Sequence, residues 1–211
     1  MKANAPAGNA DREYLFELTG GRLFLDFANT VDNRPAVNRK ELLKSYFDLL
    51  SWSKQAGAIS DKQYKRLYLE AKRRPTRSAA VLRQAKTLRE AIFGVFSAIA
   101  SGRPPRTGDL EKLNGALPRL FAHTRIERTK DGFQMQYAGE EDALDQMLWP
   151  VIRSAVEFLS SQELPAVREC AADNCAWLFM DTTRNQSRRW CNMKVCGNRA
   201  KVRRFRQRKR A

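Results

Sequence analysis

Residues 170–196 read CAADNCAWLFMDTTRNQSRRWCNMKVC and hold all four cysteines of the 211-residue chain. The cysteines form two pairs, with four residues between the members of each pair and 15 residues between the pairs. Two close pairs joined by a short segment can supply the four thiolates of a tetrahedral zinc site, and four sulfur ligands leave no position for water. We therefore predict one structural Zn²⁺ bound by Cys170, Cys175, Cys191 and Cys196.

Two further roles for the cysteines stay open at the level of sequence. Reduced cysteines behave as small apolar side chains when they are buried, although the first 169 residues contain none. A redox-active pair usually has two residues between its cysteines rather than four. The only histidine, His123, lies outside the segment, so a metal bound here would have sulfur ligands alone.

The chain beyond the last cysteine is strongly basic. Residues 166–211 carry 13 Lys or Arg and three Asp or Glu, a net charge of +10, whereas the other 165 residues have a net charge of +6. The tail has high helical propensity, and a helix of 13 residues is about 20 Å long, enough to lie in a DNA major groove. The residues predicted to contact nucleic acid are Arg199, Lys201, Arg203, Arg204, Arg206, Arg208, Lys209 and Arg210.

The alternative for this tail is a solvated basic segment with no specific partner. No acidic residue follows Asp181, and solubility alone does not require that asymmetry. Val202 and Phe205 recur at helical spacing beyond Trp190, and we expect these three side chains to form a small core over the metal. Within the helix, spacing from Arg199 makes Arg203 and Arg206 the candidates for contacts with base edges.

The chain before the cysteines is predicted to be mainly helical. Apolar residues recur at helical spacing in several segments, and Asp131-Gly132 between two alternating runs predicts a β-hairpin. Residues 14–18 are expected to form a short strand, and residues 22–34 a helix, with a strand as the alternative for its first half. Further helices are expected over residues 38–57, 60–74, 78–100, 109–121 (interrupted by Gly115 and Pro118) and 141–161 (bent at Pro150).

These patterns predict a mainly α fold with three parts: a disordered leader (1–13), a helical domain with a small β-hairpin (14–163), and a four-cysteine module ending in a basic helix (166–211). No run of 18 apolar residues is present, so we predict no membrane partner. The N-terminus has no apolar region typical of a signal peptide, and we expect a cytoplasmic protein. Because the chain lacks a Gly-rich phosphate loop, a metal-carboxylate motif and a G-x-S-x-G motif, we expect no enzymatic activity.

A row of polar residues follows the apolar pair Phe24 and Phe27. On a helix, Asp26, Asn29 and Asn33 would lie on adjoining turns of one face, and Arg34 follows directly. Such a row could line an effector pocket. The alternative is that these side chains cap helices and form hydrogen bonds within the core.

The cysteine segment closely resembles the CGNR zinc finger, named for the residues that are here Cys196, Gly197, Asn198 and Arg199. The resemblance covers about 45 residues and includes both cysteine pairs, the aromatic stretch from Trp177 to Asp181, and the run RRWC ending at Cys191. GGRLFLDFANT (20–30) resembles the ABATE domain that commonly precedes this finger. The resemblance implies a bacterial transcription regulator, described as stress-induced.

We therefore predict a zinc-dependent, DNA-binding transcription regulator with an N-terminal sensor or oligomerisation domain. Its expected partner is duplex DNA at the nucleoid, and the further partners that we consider are a small-molecule effector and a second copy of the chain. Two alternatives remain: an RNA-binding protein, because a basic helix with Trp190 and Phe205 could grip structured RNA, and a zinc-containing scaffold that recruits an acidic partner.

Overall fold

The computed structural model describes residues 14–139 and 141–209. The predicted leader (1–13) lies outside the described residues. The α-helices in the described part of the chain are α1 (Leu23–Ala28), α2 (Tyr46–Gln55), α3 (Asp61–Arg73), α4 (Pro75–Ala100), α5 (Thr107–Ala122), α6 (Leu148–Leu159) and α7 (Asn198–Arg208). The strands form three antiparallel pairs, β1 (Val31–Asp32) with β2 (Lys40–Glu41), β3 (Thr124–Thr129) with β4 (Gly132–Tyr137), and β5 (Val167–Glu169) with β6 (Leu178–Met180).

This architecture confirms the predicted fold class, a mainly helical body with a small hairpin and a four-cysteine module that ends in a helix. The core of the body is built around α4, which packs against α1, α2, α3 and α5. Phe24 of α1 is fully buried, and its ring centroid lies 4.3 Å from that of Phe96 in α4 and 5.2 Å from that of Phe158 in α6. Short α1 is therefore held between two longer helices.

Helix starts in the body follow local signals in the sequence. The Ser60 side chain accepts a hydrogen bond from the Gln63 N–H, and the Gln63 side chain accepts one from the Ser60 N–H. This capping box satisfies two backbone donors at the start of α3. Ser45 and Asp48 form the same arrangement at the start of α2. The helix predicted from residue 60 is confirmed.

Other predicted boundaries are wrong. Helix α2 begins at Tyr46 rather than at residue 38, because residues 40–41 pair with β1. Pro75 starts α4, since proline is well suited to the first helical position, where its missing N–H is not needed. Residues 14–18 form no strand. The helix predicted over 22–34 ends at Ala28, because residues 31–32 pair with β2, so Asn33 lies outside the helix that would have aligned it with Asp26.

Two prolines also behave differently from the prediction. Helix α5 runs without interruption through Gly115 and Pro118. Helix α6 begins at Leu148, which places Pro150 in its first turn, where no intrahelical N–H donor is required. Residues 141–142 and 144–147, predicted to be helical, form turns instead.

The predicted hairpin is confirmed. Its register pairs Ile126 with Met135 and Thr129 with Gly132, so the turn lies at residues 130–131. Gly132 has a φ of +125°, a backbone conformation that favours glycine at this position. Across residues 14–139 and 141–209, no helix is both long enough and apolar enough for a bilayer crossing.

The β5–β6 hairpin connects the cysteine module to the body. Val167, Leu178 and Met180 are buried within the same apolar cluster as the body helices. The Met180 N–H donates to the Gly20 carbonyl at 2.9 Å, at the start of the segment 20–30. The division into domains of residues 14–163 and 166–211 stays a prediction.

Candidate metal centre and nucleic-acid interface

The four cysteines converge at one point. Their Sγ atoms lie within 4.8 Å of one another, with 3.6 Å between Cys175 and Cys191 and 3.7 Å between Cys191 and Cys196. All four side chains are buried and none forms a disulfide. Zinc–sulfur bonds of about 2.3 Å give a tetrahedron with edges of about 3.8 Å. The cluster therefore fits one structural Zn²⁺.

The first pair is presented by the β5–β6 hairpin. Cys170 follows β5 directly, and its N–H extends the strand pairing by donating to the Trp177 carbonyl at 2.8 Å. The loop then turns back, with the Cys175 N–H donating to the Ala172 carbonyl at 3.0 Å. Ala176 has a φ of 58°, so the turn uses a left-handed conformation that alanine adopts only with strain. Both thiols therefore face the same side of the turn.

The second pair lies where the chain enters the basic helix. The Asn192 side chain accepts a hydrogen bond from the Lys194 N–H at 2.9 Å, and the Asn192 carbonyl accepts one from the Cys196 N–H at 2.9 Å. A single wide helical turn, Met193–Gly197, runs directly into α7. The position of Cys196 thereby fixes where α7 begins.

Hydrogen bonds between the cysteine thiols shift their pKa values in different directions. Hydrogen bonds from Cys175 and Cys191 hold the pKa of the Cys170 thiol well below its ordinary value. The same contact with Cys170 raises the pKa of Cys191 and of Cys175. A divalent cation held here would have all four cysteines as thiolates, because a coordinating thiol loses its proton.

The small core next to the cysteines differs from the predicted one. Buried Trp177, Phe179 and Ala172 pack with the four cysteines, and Trp190 packs against them while partly exposed. Val202 and Phe205 are 49% and 60% exposed, so the expectation that they would cover the metal is wrong. The reason is that α7 leaves the cluster after its first turn, while β6 lies against it.

A loop between the cysteine pairs is held by Asp181, a residue that the sequence prediction did not place in the site. Its carboxylate accepts hydrogen bonds from the Thr183 N–H at 3.0 Å, the Thr183 hydroxyl at 2.6 Å and the Arg188 N–H at 2.8 Å. The Arg188 guanidinium stacks 4.6 Å from the Phe179 ring and donates to the carbonyls of Trp190 and Cys191. A cation is thus held beside the backbone of a zinc ligand.

Helix α7 presents its predicted cations to solvent. Arg199 and Lys201 near its start are exposed, as are Arg206, Arg208 and Lys209 near its end. Arg204 lies in α7, but its side chain is not among the described ones. Arg210 lies outside the described residues. The helix has 11 residues, a length of about 16 Å.

Arg203 differs from the other cations of α7. Its guanidinium forms an ion pair with Asp173, in the loop between Cys170 and Cys175. The pair links the basic helix to the loop of the first cysteine pair. Because both side chains are about half exposed or more, at 46% and 70%, solvent screens this attraction.

A shallow groove of about 560 Å³ lies along one side of this helix. Its apolar floor includes Val195 and Val202, and its edges carry the cations Lys194, Arg199 and Arg206. The groove therefore combines positive charge with an exposed apolar strip, the chemistry suited to phosphates and the thymine methyl group.

The four residues predicted to line an effector pocket each contact other parts of the protein. The Arg34 guanidinium pairs with Glu90 at 2.9 Å, donates to the Ala28 carbonyl at 2.7 Å and stacks 3.9 Å from the Phe93 ring. Asn33 has a φ of 54° and its N–H donates to the Asp32 side chain. An effector site at these residues stays a prediction.

Asp26 and Asn29, the other two residues predicted to line an effector pocket, form hydrogen bonds with backbone groups. Asp26 accepts a hydrogen bond from the Gly20 N–H at 2.7 Å. Burial raises the pKa of Asp26 to about 6, although the Gly20 hydrogen bond works in the opposite direction. The Asn29 amide bonds to the backbone of Leu178 in β6. Since Gly20 also accepts from Met180, both side chains lie at the contact between the body and the cysteine module.

Two family models match the chain. The ABATE model, described as "Putative stress-induced transcription regulator", matches residues 21–162. The model described as the CGNR zinc finger matches residues 166–209 and includes all four clustered cysteines. No curated protein matches the chain. The resemblance to both families is confirmed, and with it the assignment of one structural zinc to the cluster.

Proposed function

This chain belongs to the ABATE family, and from that premise we propose that it is a zinc-dependent, DNA-binding transcription regulator. In this proposal α7 and the adjoining groove contact duplex DNA in the cytoplasm, at the nucleoid. The helical body acts as a sensor or oligomerisation domain, and the chain has no enzymatic role.

The observation that carries the proposal is the connection between Cys196 and α7. Exposed cations follow the metal ligand within a few residues, on a helix whose start is fixed by the Asn192 hydrogen bonds. Phosphate contacts place a protein on duplex DNA, and base contacts supply its specificity. A metal-anchored basic helix can do both, because its first turn has a defined direction relative to the module.

The role of zinc in this function is structural. Zn²⁺ held by Cys170, Cys175, Cys191 and Cys196 would neutralise part of the thiolate charge and keep the two cysteine pairs together. A module of this size has little apolar core, so its folding depends on the metal. Loss of zinc would then release α7 from its fixed start and weaken DNA binding.

The proposal is tested by selecting bound sequences from a random duplex pool at physiological salt. We expect enrichment of defined sequences by the zinc-loaded full chain, and no enrichment by the Cys196→Ser variant or by a chain ending at Gly197. A control variant, Ser187→Ala, changes an exposed residue of the same module that is not a zinc ligand and should select the same sequences as the full chain.

Duplex binding that cannot be measured at low salt, or that is unchanged without residues 198–211, would refute the proposal. A competition arm with an RNA hairpin separates the two nucleic acids. Tighter binding of the hairpin than of every selected duplex would favour RNA, for which exposed Phe205 offers a surface for base stacking.

A further inference from the structure

A cleft separate from the cysteine module lies between α4, α5 and α6. Its volume is about 650 Å³, which is within the usual range of about 300–1,000 Å³ for small-molecule sites. None of its lining residues belongs to the zinc module or to the polar row that begins at Asp26.

The floor of the cleft is apolar. It consists of side chains that are at most 6% exposed yet reach the cleft surface, and these are Leu88, Leu148, Trp149 and Ile152. The Trp149 ring stacks on His123, with 4.2 Å between the ring centroids. Such a floor suits a flat or compact apolar body.

The rim of the cleft is strongly basic. It carries Arg77, Arg83, Lys112 and Arg119, with Asp145 as the one carboxylate among the lining residues. Asp145 pairs with Arg119 through two contacts, of 2.9 and 3.1 Å. Within residues 14–139 and 141–209, neither Arg77 nor Arg83 has an ion-pair partner. An excess of positive charge therefore surrounds the apolar floor.

Gly115 supplies an independent observation. It lies in the interior of α5, where glycine is less favourable than alanine by about 0.5–1 kcal/mol. A Cβ placed on Gly115 would meet nothing within 4 Å, and its φ is not in the left-handed region. Neither packing nor backbone geometry therefore requires glycine. Its effect is to keep one wall of the cleft open.

We propose that this cleft binds an amphipathic organic anion, with its acidic group at Arg77 and Arg83 and its apolar body over Trp149 and Ile152. A ligand of this class satisfies both features of the cleft at once. A purely polar anion would leave the apolar floor in contact with water, and a neutral apolar molecule would leave Arg77 and Arg83 unpaired.

Helix α4 connects the cleft with the zinc module. Helix α4 lines the cleft with residues 77–88 and, further along, carries Ser97, whose hydroxyl donates to Glu169 at 2.5 Å. Glu169 directly precedes the zinc ligand Cys170. An anion that shifts α4 would thereby act on the module. This regulatory step rests on the proposed function, whereas binding in the cleft does not.

Binding can be measured by fluorescence titration of the zinc-loaded full chain with 8-anilinonaphthalene-1-sulfonate. Its uncharged analogue N-phenyl-1-naphthylamine has the same rings without the sulfonate. We expect one saturable site for the sulfonate and binding of the analogue that is about tenfold weaker, since the rim cations contribute to anion binding alone.

Two glycine variants locate the site. Gly115→Leu fills the cleft and should weaken sulfonate binding at least about tenfold, while the open space around the residue keeps the fold intact. Gly108→Leu is the matched control, because Gly108 lies in the same helix, also has nothing within 4 Å of its Cβ position and does not line the cleft. It should bind the sulfonate as the natural chain does.

A charge variant keeps the test decisive if Gly115→Leu unfolds. The Arg77→Gln/Arg83→Gln double variant alters exposed side chains and should weaken sulfonate binding about tenfold without affecting the neutral analogue. The proposal is overturned by the absence of a saturable site, by equal affinities for the two probes, or by a double variant that binds the sulfonate normally. No DNA is present in these titrations, so a failure of the proposed function would leave their result unchanged.

Discussion

The side-chain amide of Asn29 forms two hydrogen bonds with the backbone of Leu178: Nδ2 donates to the carbonyl oxygen at 2.8 Å, and Oδ1 accepts from the N–H at 2.9 Å. Both groups are buried, and 149 residues separate them in the chain. A second contact lies close by, where the Trp177 indole N–H donates to the Val31 carbonyl at 2.8 Å. The segment of the body that begins at Gly20 therefore forms the surface against which the zinc module packs.

Replacing Asn29 with alanine should destabilise the whole chain. The change removes two hydrogen bonds and leaves two buried backbone groups of Leu178 without partners, so we expect the free energy of unfolding to fall by about 2–4 kcal/mol. Urea unfolding of the zinc-loaded protein measures this. Asn38→Ala, at an exposed position, is the control and should change stability by less than about 0.5 kcal/mol. Equal stability of the two variants would contradict the role given to Asn29.

Metal content provides a second prediction. Purified protein should contain close to one zinc per chain, and Cys175→Ser should contain much less, because three thiolates bind the ion less tightly than four.

Since β6 is packed into the core of the body, zinc removal by a chelator should also lower the stability of the body. Urea unfolding followed by the circular dichroism of the helices, most of which lie in the body, would report this effect. A chelated protein that unfolds at the same urea concentration as the zinc-bound form would show that the two parts are independent.

Features with a local cause could be predicted from the sequence. Ser60 and Gln63 stand three residues apart, which is enough to define a helix start, and Asp131-Gly132 is enough to define a hairpin turn. Each cysteine pair is local in the same way, because it spans a single turn, and the metal that joins the two pairs is indicated by their repeated spacing.

Features that depend on distant partners could not be predicted. Residues 40–41 lie before an apolar run typical of a helix, yet they pair with residues 31–32 and form a strand. The helical spacing of Asp26 and Asn29 left both a pocket and core hydrogen bonds open, and it could not identify Leu178, far along the chain, as the partner of Asn29. The ion pair between Arg203 and Asp173 likewise depends on how the zinc cluster folds, and no spacing in the sequence indicates it.

Asp26 should make stability depend on pH. Its folded-state pKa of about 6 is above its ordinary value of 3.8, so between these values the folded chain binds more protons than the unfolded chain. Stability contributed by the neutral carboxyl is therefore lost as pH rises through about 4 to 6. Asp26→Asn cannot ionise, and its carbonyl can still accept from Gly20. Relative to the natural chain, the variant should gain about 1 kcal/mol between about pH 5 and pH 7.5.

Because zinc ligands also titrate, the informative quantity is the difference between the two proteins in urea unfolding at each pH. Asp32→Asn, at a half-buried position outside α1, serves as a matched control for the change in charge. A constant difference between Asp26→Asn and the natural chain at every pH would show that folding does not raise the pKa of Asp26.

The salt dependence of the affinity for duplex DNA should show how many phosphates the chain contacts. Each phosphate neutralised by Lys or Arg contributes about −0.9 to the slope of log affinity against log salt. If about five of the cations in α7 and in the residues that follow it contact phosphates, the slope should be roughly −4 to −5. Fluorescence anisotropy with a labelled duplex measures it. A chain ending at Gly197 should lose most of the slope, and a truncated chain that retains it would place the phosphate contacts elsewhere.

The ion pair between Asp173 and Arg203 should restrain DNA binding. Asp173 occupies a guanidinium that a phosphate could otherwise contact, and it places a negative charge beside the groove. Asp173→Asn removes both effects. The affinity for duplex DNA should rise about threefold to tenfold at physiological salt, and the slope should become steeper by about 0.9, the value for one further phosphate contact.

Two comparisons identify Arg203 as the cause of that gain. In the Asp173→Asn/Arg203→Gln double variant the gain should disappear, because the released guanidinium is no longer present. Asp131→Asn makes the same change in net charge at the turn between β3 and β4, outside the zinc module. Measured with Asp173→Asn at physiological salt, where exposed charges are screened over about 8 Å, it should alter affinity less than about twofold. If Asp131→Asn gave the same gain as Asp173→Asn, net charge alone would explain the effect. If Asp173→Asn weakened binding, the pair would instead be required to orient α7 on the DNA.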